Sequence, residues 1–300
     1  MTAPFAERLA LLRAELARQG VDGFILQRTD QHGSEYLPDS EARLAWLTGF
    51  TGSAGEAVVL ADAAAVFTDG RYTVQIGQEV DPALFERCHI TERPPATWLE
   101  QRLAAGMVLG YDPKLTRKAQ LERLARLCPD KDATLAPLEA NPVDRIWSDR
   151  PAAPLGAALR LDERYAGETS AAKRQRMAEA VAKAGADWLL LTAADSIAWL
   201  LNIRGADVPF NPLCLSHLLL DADGRAIWFV DAAKLGDAPP VDNAVEIRAY
   251  AAIDDGLAEL ARSGARVLVD PTLNAVGFAD ILRRHGGKVV EGSDPVPLAM

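Results

Sequence analysis

The segment Val108-Leu109-Gly110-Tyr111-Asp112-Pro113-Lys114-Leu115-Thr116 has a second version later in the chain, Val267-Leu268-Val269-Asp270-Pro271-Thr272-Leu273-Asn274. Each reads as an apolar strand, an Asp-Pro turn and a Thr or Asn poised to cap a helix, because those side-chain oxygens satisfy the free N–H groups of a first helical turn. Helices over roughly 117–127 and 275–285 follow, each leading to a last strand. One such match is weak evidence, since strand-turn-helix units recur in all α/β proteins. The order of further matches gives it weight. Phe5, Leu9, Leu12 and Leu16 recur at helical spacing ahead of Gly20 and a strand at Phe24–Gln27, while a helix over Ala171–Ala184, capped by Ser170 and ended by Gly185, precedes a strand at Trp188–Leu191. Leu44-Ala45-Trp46-Leu47 parallels Ile197-Ala198-Trp199-Leu200, and a hairpin around Asp62 parallels one around Asp221-Ala222-Asp223-Gly224. A tandem duplication of one α/β unit accounts for the series.

Three hundred residues suit two domains, because a single core stops growing near about 250–300 residues. The halves are set at 1–140 and 161–300, with 141–160 as a linker in which Pro142, Pro151 and Pro154 interrupt regular structure among exposed charges. Trp147 is expected to pack on a domain surface. Gly292–Pro297 reads as a second linker, with a further domain expected after Met300. A hydrophobic fraction of 49% supports real cores, and a net charge of −10 repels phosphate backbones and anionic lipid, which argues against nucleic acid and membrane partners. Cys88, Cys128 and Cys214 lie far apart without CxxC spacing, the pattern of buried free thiols in the cytoplasm. Met1-Thr2-Ala3-Pro4 leads into a segment with Arg8, Arg13 and Arg18 and no apolar signal-peptide run, and no stretch approaches a membrane span.

Gly49, Gly52 and Gly55 precede the expected strand Ala57–Leu60, whereas a phosphate-binding glycine loop follows a strand and opens a helix. A tight turn feeding a sheet is the better reading. Ser53 lacks the flanking glycines of a G-x-S-x-G elbow. His32 with Asp30, Glu35 and Asp39 is the one metal-like cluster, but no second histidine lies nearby, and a hydrogen-bonded loop that orders itself or docks on a neighbour is favoured. Asp69-Gly70-Arg71-Tyr72 offers a guanidinium beside a glycine, or simply a helix entry capped by Asp69 with Arg71 solvated. Asn202 to Pro212 is a polar loop between apolar segments. In it Arg204 and Asp207 either pair with each other or, with Asn211, face a partner surface or substrate.

Thr29-Asp30-Gln31-His32-Gly33-Ser34-Glu35-Tyr36, Gly49-Phe50-Thr51-Gly52-Ser53-Ala54-Gly55, Phe67-Thr68-Asp69-Gly70-Arg71-Tyr72 and Asn202-Ile203-Arg204-Gly205-Ala206-Asp207-Val208-Pro209-Phe210-Asn211-Pro212 occur in that order. With the tandem organisation, they resemble the long-form Xaa-Pro aminopeptidases (aminopeptidase P) of the peptidase M24, creatinase and prolidase superfamily. The resemblance implies two similar α/β domains, each a mixed β-sheet flanked by helices, that form the non-catalytic half. It also implies a downstream pita-bread domain with two divalent metal ions, commonly manganese, whose ligand motifs are absent from these residues. Peptides with proline at position two would be the substrates and a cytoplasmic homodimer the assembly. Arg204, Asp207, Asn211, Arg71 and His32 are the candidates for the substrate channel or an inter-domain surface, and no catalytic or metal-ligating residue is assigned. A stand-alone peptide- or partner-binding module is the alternative, and a small-molecule enzyme using His32 and Asp30 ranks last.

Overall fold

The structure, a computed structural model, describes residues 3–236 and 240–300. Met1 and Thr2, the head of the stretch inspected for a signal, lie outside the described residues. The chain forms two units, one of Met1–Thr29 with Glu35–Ala152, the other of Asp30–Ser34 with Ala153–Met300.

The first unit runs α1 (Ala3–Arg18), β1 (Gly23–Gln27), α2 (Arg43–Thr48), β2 (Glu56–Leu60), β3 (Ala64–Thr68), α3 (Thr73–Glu79), β4 (Glu86–His89), α4 (Pro95–Glu100), β5 (Val108–Tyr111), α5 (Lys118–Asp130), β6 (Thr134–Pro137) and α6 (Pro142–Ile146). Its sheet has the order β4-β3-β2-β1-β5-β6. β2 is antiparallel to β1 and β3, and the remaining pairs are parallel. Every residue of β1 is buried, as expected of a central strand covered on both faces. Phe24 and Leu26 meet Leu9, Leu12 and Leu16 of α1 on one face, while Ile25 meets Trp98, Leu99 and Leu124 on the other.

The second unit runs β7 (Leu159–Arg160), α7 (Glu163–Ala166), α8 (Ser170–Lys183), β8 (Trp188–Leu191), α9 (Ala194–Leu201), β9 (Ile203–Arg204), β10 (His217–Asp221), β11 (Ala226–Val230), β12 (Val245–Ala249), α10 (Ile253–Arg262), β13 (Arg266–Val269), α11 (Val276–Arg284) and β14 (Lys288–Glu291). Its main sheet has the order β12-β11-β10-β8-β13-β14. β10 is antiparallel to β8 and β11 and the other pairs are parallel, so strand for strand it repeats the first sheet. The two mixed, helix-flanked sheets are those the sequence repeat anticipates.

Some local expectations shift. The cap of α8 is Thr169, whose hydroxyl accepts from the Ala172 N–H, rather than Ser170. Arg117 and Ala275, not Thr116 and Asn274, stand at the N-caps of α5 and α11. Asn274 is drawn into the sheet end instead: its amide donates to the Thr192 hydroxyl and its carbonyl accepts from the Asp270 N–H, both at 2.8 Å. The stretch read as a linker begins as α6, capped by Asn141, with Trp147 stacked on Trp46 at 5.3 Å and Arg43 bound through two nitrogens to Asp144. The tail is anchored too. Val296 is fully buried, the Asp294 N–H donates to Asp270 and the Ser196 hydroxyl donates to Asp294, so a Ser-Asp-Pro composition that suggests a loose connector is here a buried turn.

Burial raises the Asp294 carboxyl from its ordinary 3.8 to about 6. An acid held more tightly protonated in the folded state contributes stability at low pH that is lost as pH rises through its folded value, here across about pH 4 to 6. Melts of wild type and Asp294→Asn should diverge over that window in favour of the variant, by on the order of 3 kcal/mol at most. A pH-independent difference would assign the tail's anchoring to Val296 alone.

Candidate functional site

The loop after α9 is built by four restraints. Asn202 ends the helix in the left-handed conformation, φ 51°, which asparagine tolerates because its short side chain bonds locally. That side chain is spanned at both ends: its carbonyl accepts from Lys173 Nζ at 2.7 Å and its amide donates to the Glu168 carbonyl at 2.8 Å. β9 then pairs with β7. At Gly205 the chain passes so close to itself that an added Cβ would lie 2.6 Å from the Leu213 oxygen and the Cys214 nitrogen. Finally Asp207 turns inward.

Asp207 is 3% exposed and its carboxylate is fully engaged. One oxygen accepts from the Gly156 N–H at 2.9 Å; the other accepts from the Leu215 N–H and from Lys234 Nζ, each at 2.7 Å. The ammonium of Lys234, itself 5% exposed, also donates to the Leu215 carbonyl. The Arg204–Asp207 pair, one of the two readings of this loop, is not formed, because a buried cation 27 residues downstream holds the carboxylate. Arg204 lies half-buried over the end of α9, donating to the Ile203 carbonyl at 2.7 Å. Beyond Asp207, Val208 and Asn211 bridge a tight turn that puts Phe210 at φ 62° and in complete exposure. A positive φ is strained for an aromatic residue, so the turn holds an apolar ring in water at a conformational cost. Asn211 donates to the Pro209 carbonyl and remains partly exposed.

His32 lies in the second unit, 4% exposed. Asp30 accepts from the N–H groups of His32 and Ser34, which shapes the turn. Nδ1 of His32 lies 2.9 Å from the Thr192 carbonyl, which can only accept, so Nδ1 carries a proton; Nε2 lies 3.0 Å from the Tyr250 hydroxyl. The ring stacks on His217, centroids 4.7 Å apart, and His217 stacks in turn on Tyr250. With both nitrogens engaged, this imidazole has no lone pair to offer a metal. No group of three or more His, Cys, Asp or Glu side chains suited to a metal ion occurs among the described residues. The residues present do not fit the two-metal centre that the resemblance assigns to a downstream domain.

In the first unit the two glycine-containing motifs meet. Ser53 and Tyr72 share a hydrogen bond of 2.6 Å, Phe50 packs edge-on against Tyr72, and the Thr68 hydroxyl donates to the Ala54 carbonyl. Gly52 is needed there, since a Cβ would sit 2.4 Å from the Phe50 ring. Asp69 accepts from the backbone and guanidinium of Arg71, which remains exposed. The side-chain bond to Ser53 lowers the Tyr72 hydroxyl below its usual pKa. No single site gathers all five candidates: Asp207 and His32 are buried fasteners, and Arg204, Asn211 and Arg71 retain surface. Phe210 and Lys234 were not singled out by sequence reasoning. A ring between Pro209 and Asn211 in a turn was a signal for the first, and nothing local marks the second.

Asp207→Ala should destabilise the second unit by roughly 3–5 kcal/mol in urea unfolding, since it strands a buried ammonium. Arg204→Ala should change stability by only about 0.5 kcal/mol, as its bonds are made at the surface of its own helix end. Equal effects of the two would mean that the Lys234 pair does not fix the loop.

Residues 8–146 match the family described as the Creatinase/Prolidase N-terminal domain, and residues 149–300 match a second family model of the same description. Aminopeptidase P2 of Arabidopsis thaliana is 36% identical over 278 residues, 89% of this chain and 39% of that protein. A probable Xaa-Pro aminopeptidase P of Laccaria bicolor is 35% identical over 236 residues, 77% of this chain and 36% of that protein. The chain thus spans about two-fifths of the length of these curated relatives. Among solved structures, the X-prolyl aminopeptidase of Caenorhabditis elegans, described as a cytosolic enzyme with a di-nuclear active site, aligns with a TM-score of 0.86 and 28% identity over 96% of this chain and 50% of that one. Among the described residues no helix is long and apolar enough to cross a membrane. With each sheet matched by a domain of one description, the chain belongs to the creatinase/prolidase N-terminal family and carries two of its domains in tandem.

Proposed function

We propose that this chain is the non-catalytic N-terminal region of a metal-dependent Xaa-Pro aminopeptidase, which removes the first residue from peptides with proline at position two. The observation that carries this reading is two tandem domains of one family whose relatives, named aminopeptidase P, extend well beyond the matched length. In this reading the divalent ions, manganese, belong to a downstream pita-bread domain, and the protein works as a cytoplasmic homodimer. The chain's own contribution is to shape the substrate channel and support assembly. A loop with a fixed base and a projecting tip supports that role: Asp207 and Lys234 hold it, while Arg204, Phe210 and Asn211 offer guanidinium donors, an apolar ring and an amide to a peptide or a domain surface. Arg71, exposed and oriented by Asp69, is the corresponding candidate of the first unit.

The test is a chimera in which this chain replaces the half of the Caenorhabditis elegans enzyme that it matches. With Mn²⁺ the 300-residue chain alone should leave Arg-Pro-Pro intact, and the chimera should release arginine until a chelator is added. Release by the chain alone, or a folded, metal-loaded chimera without activity, would overturn the reading. Within an active chimera, Arg204→Ala and Phe210→Ala should raise KM by roughly three- to tenfold with kcat held, the mark of lost substrate binding. Unchanged KM in both would remove the loop from the channel.

A further inference from the structure

In each sheet the apolar row of the central strand gives way to polar side chains at its carboxyl end. In the second unit that place is filled: Thr192 follows β8, His217 opens the antiparallel neighbour β10, and the His32 ring lies stacked on His217 with a bond to the Thr192 carbonyl. In the first unit the corresponding residues are Gln27, the last of β1, and Glu56, the first of β2, which stand directly opposite one another in the register. Opposed residues of an antiparallel pair project to the same face, and two-residue periodicity puts both on the face of Ile25 and Val58. No side chain fills the space beyond them. A cavity of about 190 Å³ lies there, lined by Gln27, Glu56, Ile90, Leu115, Arg117 and Gln120 among others.

The polar groups of this cavity are poorly satisfied. Gln27 is 5% exposed, yet neither its amide nitrogen nor its carbonyl oxygen has a hydrogen-bond partner. A buried polar atom without a partner costs about 1–3 kcal/mol, so an unmet amide marks a place where a ligand or water supplies the bonds. Glu56 lies beside it in the sheet with no ion pair among the described residues, and burial lifts its carboxyl to about 7. Cations stand at the cavity and on the helix above it, Arg28 after β1, Arg117 at the start of α5 and Arg123 along α5, whose field lowers the Glu56 value only in part, while Glu122 of the same helix pairs with Lys118. Arg28 is committed elsewhere, donating to the Glu35 and Ser53 carbonyls.

We propose that this cavity is a binding site for a small protonated amine, its N–H groups shared between the Glu56 carboxylate and the Gln27 carbonyl and its carbon chain lying on Ile90 and Leu115. The space suits a ligand of a few carbon atoms, being equivalent to roughly six waters at about 30 Å³ each. An ammonium supplies what both acceptors lack, a charged donor out of bulk water. As it enters, a protonated Glu56 gives up its proton to solvent, so binding tightens as pH rises through about 7. The site stands on the first unit alone and does not depend on peptidase activity.

The experiment is calorimetric titration of the 300-residue chain with isobutylammonium at pH values on either side of 7, with isobutyrate as the near-isosteric anion. Saturable binding of the cation, tighter at the higher pH, weakened about tenfold or more by Glu56→Gln and weakened by the isosteric Gln27→Met, supports the site. Thermal melts of both variants establish that they fold, and Arg123→Ala should leave binding intact or strengthen it. Absence of saturable cation binding, meaning that the cavity holds water only, would overturn the proposal. So would binding retained in folded Glu56→Gln, or preference for isobutyrate, which would give the cavity to the arginines and an anion.

Discussion

Burial of both faces of a central strand is the constraint from which the rest of each unit follows. In β1, Phe24 and Leu26 face one helical layer and Ile25 the other; in β8, Leu189 and Leu191 face one and Leu190 the other. Each such side chain contributes on the order of 1.5–3 kcal/mol when taken from water, a gain available only if helices cover both sides. Each central strand lies between one parallel and one antiparallel neighbour, and the helices in the connections to both supply the cover that demand requires. The same solution appears twice because the same pattern appears twice.

Polar chemistry is thereby pushed to the strand ends and the loops beyond them, and there it is handled in two ways. Most buried charges are closed off by several partners at once. Asp207 receives two backbone N–H groups and the Lys234 ammonium, and Lys173 donates to both Asn202 and the Trp199 carbonyl while lying against the Trp199 ring. Multiple bonds of this kind offset the desolvation of a buried charge and fix one loop conformation. Asp270 and Asp294 act alike at the tail, Asp270 accepting from the Asp294 N–H and Asp294 from the Ser196 hydroxyl. Gln27 and Glu56 are handled differently: at the same place in the other repeat the His32 imidazole stacks on His217, and here a cavity lies instead.

Much of the candidate site was legible as segments and little of it as geometry. The Gly49–Gly55 turn and the Asp69–Tyr72 turn were visible, yet nothing in either predicted that Ser53 would bond Tyr72; a hairpin between them brings that about. Asn202 to Pro212 stood out as a polar loop, but its sequence left open whether Arg204 and Asp207 pair or, with Asn211, face outward. Tertiary packing divides them, turning Asp207 in and leaving Asn211 near the surface. Composition misled at Gly292–Pro297, where a connector-like sequence hides the buried Val296.

The sequence by itself determined the α/β class, the duplication, the positions of the central strands and the left-handed stops at Gly20 and Gly185, because these depend on periodicity and on backbone freedom within a few residues. Only the tertiary structure decided that Lys234 answers Asp207, that Trp147 stacks on Trp46, that His32 sits on His217, and that a cavity remains beside Glu56. Those choices rest on which distant side chains reach one buried point together. A short stretch of chain holds no record of its partners across the fold, so desolvation and close packing make that selection.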